Sequence, residues 1–178
     1  LRLPLREQNT LLVAAGYAPR FGEKKLSDPD LAHARHAVDL VLKAHDPNPA
    51  LAIDRHWNLI AANESAMRLI QAAAAPTLLA GQINVLRISL HPEGLAPAIL
   101  NLGEWRAHVF ARLERQIDGS GDATLVALLE ELRAMPAPGV VAPSKREAMP
   151  VLTPLKLTTP LGQVSLLGMT SLFGMPHD

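Results

Sequence analysis

NVLRISLHPEGLAPAILNLGEW, residues 84–105, sets Asn84, Arg87, His91 and Trp105 among apolar neighbours at spacings that no catalytic motif uses. Polar groups embedded in apolar sequence point to a pocket. Val85, Leu86, Ile88 and Leu90 surround Arg87, and a fully buried guanidinium without a partner would be very unfavourable. An acidic group is therefore expected beside it. That group is either an internal carboxylate such as Asp54 or Glu104, or the carboxylate of a ligand held with help from Asn84 or His91; the alternative is that Arg87 is simply exposed on a short helix. His91 precedes Pro92 and can instead cap a backbone carbonyl, and Trp105 can be plain core.

Downstream of this stretch, Asn101 and Glu104 have the spacing of a capping box, and Leu102, Trp105, Val109, Leu113 and Ile117 share one helical face. A long helix is predicted. Gly119-Ser120-Gly121-Asp122 follows that helix rather than a strand and lacks the lysine of a phosphate loop, so it reads as a turn and an N-cap. Leu125, Leu128, Leu129 and Leu132 then mark a second helix that stops before Pro136. Residues 137–148 read as a linker. From residue 151 onward Val151, Thr153, Leu155 and Leu157 alternate with Leu152, Lys156 and Thr158, the period of a strand. A turn at residues 159–162 leads to a second strand over 164–172, and Pro154 argues for an edge position or a bulge.

Upstream, Leu11, Leu12, Ala14 and Ala15 before Gly16 predict a short helix with a glycine cap. Ser27, Asp28 and Pro29 can start another, with Leu31, Ala34, Val38, Val41 and Leu42 at helical spacing until Pro47. The short apolar runs 51–54 and 57–61 read as a hairpin, and Asn63 can cap a helix whose Ala66, Met67, Leu69 and Ile70 face inward. A sheet built from the early and late hairpins, covered on one side by the intervening helices, gives an α+β fold.

The chain has 178 residues, 48% of them hydrophobic, enough for one sizeable core. Lys plus Arg and Asp plus Glu are equal at 17 each, so the basic excess that neutralises duplex phosphates is absent. There is no cysteine, which excludes disulfides and thiolate chemistry and fits a reducing, cytoplasmic setting. No apolar run approaches the roughly 18–20 residues of a membrane span, and the first residues lack a signal-peptide core. Residue 1 is Leu rather than Met, which leads us to expect further sequence upstream.

Seven histidines raise the question of a metal, but His33 and His36 have only Asp30 and Asp39 near them and read as a solvated face. No G-x-S-x-G elbow is present, and Glu130 and Glu131 point in different directions on a helix. Nothing in the sequence requires an enzyme, a metal or a resident cofactor. Met67, Met169 and Phe173 offer adaptable or broad apolar surface, and only 3% of the chain is aromatic. An interior of this kind is aliphatic, suited to an alkyl chain and poorly suited to stacking a flavin or a nucleobase.

The stretch 84–105, taken with AAGYAP (14–19), PALAIDRHWNLIAANESA (49–66), LLEELRAMPAP (128–138) and TSLFGMPHD (170–178), closely resembles the ligand-binding domain of MmyB-like transcription regulators. The resemblance runs over nearly the whole chain, in the family's order. It implies a PAS-like domain over residues 27–178, with residues 1–26 forming a connector from an absent N-terminal helix-turn-helix. It also implies a bacterial, cytoplasmic, homodimeric regulator that binds a fatty acid or similar apolar ligand and meets DNA only through the absent domain, with no membrane partner. The candidate ligand-binding residues are Arg87, Asn84, His91, Trp105, Met67, Asn63, Met169 and Phe173. Two other readings stay open: a ligand-free dimerisation or partner-docking domain, and a small acyl hydrolase or transferase, for which the sequence offers no nucleophile and base. The chain also ends at Asp178, where the family runs on into further strand and helix, which leaves the closing side of a pocket undefined.

Overall fold

A computed structural model describes residue 15 and residues 32–137, 153–159 and 162–167. The chain divides into two compact units, Leu1–Ala37 with Met169–Asp178, and Val38–Gly168. Apart from the first residues of helix α1, every element below belongs to the second unit. The expected short helix before Gly16, the caps at Ser27 to Pro29 and the linker beyond Ala137 lie outside the described residues.

Helix α1 spans Ala32–Ala44 and buries Leu42, whereas Val41, expected on the same face, is exposed. The hairpin predicted from residues 51–61 forms as β1, Leu51–Ile53, antiparallel to β2, Leu59–Ala62. Its turn is organised by Asp54, whose Oδ1 accepts from the backbone N–H of His56 and of Asn58, both at 2.8 Å. That tight turn puts Trp57 in the left-handed region at φ 68°, a conformation a bulky residue adopts only when its surroundings hold it there.

Asn63 begins α2, Glu64–Ala73, as expected, with Oδ1 accepting from the Ala66 N–H at 3.0 Å. Ala66 and Ile70 are buried on this helix, and Met67 and Leu69 are half-buried. A single turn, α3 (Pro76–Leu79), and the short helix α4 (Val85–Leu90) follow. The chain then folds back on α4: the Leu95 N–H donates to the Ile88 carbonyl at 2.8 Å. Gly94 permits this, because a Cβ there would sit 2.2 Å from the Ile88 oxygen. After a 3-10 turn at Ala96–Ala98 come the long helix α5, Leu102–Ser120, and α6, Ala123–Ala134. Gly121, at φ 64°, ends α5 with its N–H on the Ile117 carbonyl, and Asp122 caps α6 by accepting from the Thr124 N–H at 2.9 Å. The turn and N-cap read from GSGD are both present.

Asn101 departs from the capping-box expectation. Its side chain makes no cap hydrogen bond to α5. Instead its Oδ1 accepts from the Lys156 N–H at 3.1 Å and its Nδ2 donates to the Pro154 carbonyl at 2.8 Å, tying down strand β3. The late hairpin consists of β3, Leu155–Thr159, and β4, Gly162–Leu166. Among the described residues the two hairpins are separate two-stranded sheets and not one sheet. Segments between the helices take the edge positions: Asn58 bridges to Asn84, and Ile99 bridges to Leu157.

Two aliphatic clusters form the interior. One joins Leu86 and Leu90 of α4 to Val109 and Leu113 of α5 and to Leu125, Leu128, Leu129 and Leu132 of α6. The other holds Ile70, Ala74, Ile88, Leu95, Ile99 and Leu157. Trp105 and Leu102 pack against both. Burying each such leucine stabilises the fold by about 1.5–3 kcal/mol, so the leucine stripe of α6 is a main anchor of this unit.

Candidate functional site

The spacing of Trp105, His108, Val109 and Arg112 puts them on one face of α5, where with Leu86 of α4 and Trp57 of the β1–β2 turn they line a small cleft. Its volume is ≈ 40 Å³, room for a few waters and far short of an acyl chain. Both tryptophans of the chain wall it. Gln116 fixes one side, because its Oε1 accepts from the Trp57 indole N–H at 2.9 Å while its Nε2 donates to the Arg55 carbonyl at 3.2 Å. The Arg112 guanidinium lies 4.6 Å from the centre of the Trp57 ring, within cation–π range. On the other side the Trp105 N–H donates to Ser89 Oγ at 2.6 Å, and His108 stacks on the Trp105 ring at 5.6 Å. Burial, followed by the nearby charges of Arg112 and Arg115, holds the His108 imidazole below its ordinary pKa. His108 thus favours its neutral form. The cleft offers two indoles, an uncharged imidazole, aliphatic carbons and one cation.

The hydrogen bonds of the β1–β2 turn continue into α6. His56 Nε2 lies 2.8 Å from Asp122 Oδ2, and Arg55 Nε lies 3.9 Å from the same oxygen. Asp122 is held below the usual carboxylate range, first by the His56 hydrogen bond and then by the Thr124 N–H, against an opposing effect of burial.

The residues singled out in the sequence take different places. Arg87 has the acidic partner its context called for, but it is Glu131 and not Asp54 or Glu104. Nε and Nη2 donate to the two carboxylate oxygens at 2.7 and 2.8 Å. Both side chains are more than two-fifths exposed, and the hydrogen bond to Glu131 raises the Arg87 pKa. Asn84 is buried and fully engaged: it caps α4 through the Leu86 and Arg87 N–H groups and donates to the His56 carbonyl and to Asn58 Oδ1. Asn63 is equally engaged, accepting also from the Ala50 N–H and donating to Asp46 Oδ1, the Asn48 carbonyl and the Leu42 carbonyl. His91 ends α4, and its Nδ1 accepts from the Glu93 N–H at 3.1 Å. Met67 is half-buried on α2, and Met169 and Phe173 lie outside the described residues. Of the six that lie among the described residues, Trp105 alone lines the cleft.

Trp57, His108, Arg112 and Arg106 were not singled out. For His108 and Arg112 the spacing from Trp105 along α5 carried a signal, since 105, 108, 109 and 112 repeat as one helical stripe. Arg106 adjoins that stripe and is buried, 8% exposed. Among the described residues no three His, Cys, Asp or Glu side chains gather as a metal site, and no helix is long and apolar enough to cross a membrane.

The helices, the antiparallel hairpins and the walled cleft define a domain of mixed α and β structure. Residues 34–178 match the model of the MmyB-like transcription regulator ligand binding domain, and the chain belongs to that family. It is a regulatory ligand-binding module, not an enzyme. No curated protein and no solved structure matches the chain.

Proposed function

We propose that this domain senses a fatty acid or a closely similar acyl ligand and passes its occupancy to a DNA-binding domain joined at its N-terminal side, within a homodimer. The observation that carries this reading is the lining available to a guest. Every buried apolar side chain among the described residues is Leu, Ile, Val or Ala. Alkyl chains gain about 0.8 kcal/mol per buried methylene in such surroundings, whereas the rings a flat cofactor would stack on, Trp57, Trp105 and His108, wall the cleft and are absent from the fully buried clusters. The closed cleft is too small for an acyl chain, so binding selects a state in which the walls have parted, and this links occupancy to a change in shape. The signal to DNA follows from that difference between states.

The small cleft also favours the rival reading, a ligand-free dimerisation or docking module. One experiment separates them. Saturated acids from octanoic to hexadecanoic are titrated against the chain, following thermal stability and tryptophan emission, with flavin, haem and nucleotides as comparisons. The sensor reading expects the longer acids to raise the melting temperature by mass action and to perturb Trp57 and Trp105. Inert acids would leave the docking module; a response to flavin, haem or nucleotides alone would replace the ligand class.

A further inference from the structure

Arg106 differs from the paired arginines around it. Arg87 is matched by Glu131, Arg133 by Glu114 and Arg68 by Glu64. Arg106, almost wholly buried, meets no carboxylate among these ion pairs. Its Nη2 donates to the carbonyls of Leu132 and Met135, each at a long 3.3 Å, where α6 ends. Its Nη1 is shut off from solvent and has no hydrogen-bond acceptor. The guanidinium carbon stands 5.1 Å from the centre of the Phe110 ring. The same apolar cluster that contains Leu113 and Leu132 includes Phe110 and Met135 at its margin.

A buried cation lacking both a counter-ion and one of its acceptors is strongly unfavourable, and the two carbonyls satisfy only the Nη2 side. We propose that Arg106 is the receptor for the acid group of the ligand, taking a monocarboxylate on Nη1. This assignment rests on the acyl-sensor reading and adds the residue that reads the head group. A single open nitrogen matches one carboxylate. A phosphate would bring more negative charge and more oxygens against the Leu132 and Met135 carbonyls, which already crowd the guanidinium. The aliphatic surroundings suit the tail of the same molecule; Arg106 is not itself a wall of the cleft but lies on the same stretch of α5 as Trp105 and Val109, on the side turned toward the end of α6. Burial also lowers the Arg106 pKa, a cost of desolvation that a bound carboxylate would offset.

The test is calorimetric titration of the whole 178-residue chain with dodecanoic acid and with dodecanol, using the unaltered protein, Arg106→Met and Arg106→Lys. Arg106→Met is expected to weaken the acid roughly 10- to 100-fold, the range of a charge-assisted hydrogen bond, and to leave the alcohol unchanged. Arg106→Lys keeps the charge and should keep the preference for the acid. The ligand-free Arg106→Met protein should melt at or above the original temperature, since replacing an uncompensated buried charge by an apolar side chain is commonly neutral or stabilising. An unaltered protein that binds acid and alcohol equally, or equal losses of both in Arg106→Met, would overturn the assignment and leave the acyl reading standing. Binding of neither compound would overturn both. Should Arg106→Met fail to fold, Arg106→Lys decides: a retained preference for the acid supports the receptor, and a lost one assigns Arg106 to closing the end of α6.

Discussion

The buried polar groups around the β1–β2 hairpin and those between α5 and α6 follow opposite patterns. Beside the hairpin, Asn63 and Asn84 are almost fully buried and their side-chain atoms are engaged on both the donor and the acceptor side. Between α5 and α6, Arg106 is as deeply buried and leaves a nitrogen without an acceptor. Saturated buried groups hold a fold together; the unsaturated one is where we propose that the ligand's acid group binds. Arg87, for which the sequence left an internal acidic partner, exposure or a ligand carboxylate open, is paired with Glu131.

The largest effect expected on the saturated side is at Asn63. Asn63→Ala removes the cap of α2 and strands the groups that met it, so it should destabilise by about 2–4 kcal/mol. Urea unfolding measures this, and a loss no larger than that of an exposed helix substitution would break the comparison. A smaller, pH-dependent effect is expected at His108, beside the cleft. Its folded pKa lies below the unfolded one, so the folded state resists a proton that the unfolded chain accepts. Stability from this group is full above the unfolded value of about 6.5 and declines as pH falls through it. Melting temperatures across that range should therefore slope downward on the acid side in the original protein and less so in His108→Gln. The smallest effect is expected at Arg87. Arg87→Met removes a half-exposed ion pair worth about 0–1 kcal/mol and should barely alter urea stability; a loss as large as that of Asn63→Ala would show that exposure is a poor guide here.

Much of the scaffold was legible because it rests on periodicity and caps. The leucine stripe of α6, the apolar face of α5, the Asn63 cap and the GSGD turn are local patterns, and each formed where its residues stood. The α+β class was legible for the same reason, and the family resemblance from the stretches 14–19, 49–66, 84–105, 128–138 and 170–178. What failed to show were relations between distant positions. Nothing local distinguishes Glu131 from Asp54 as the partner of Arg87, since the choice depends on how α4 packs on α6. Asn101 has the spacing of a capping residue, yet a strand more than fifty residues later claims its side chain. The cleft was half legible: its α5 stripe repeats in sequence, but Trp57 reaches it through a left-handed backbone that no composition rule assigns to tryptophan. Arg106 was hidden, because an arginine on a long helix ordinarily faces water.

Trp105 packs against both aliphatic clusters, and this bears on the cooperativity of the unit. Two cores that share Trp105 and Leu102 are expected to loosen together, because a shift of either side chain removes support from both clusters at once. Slow amide exchange in the two clusters is therefore expected to rise and fall together.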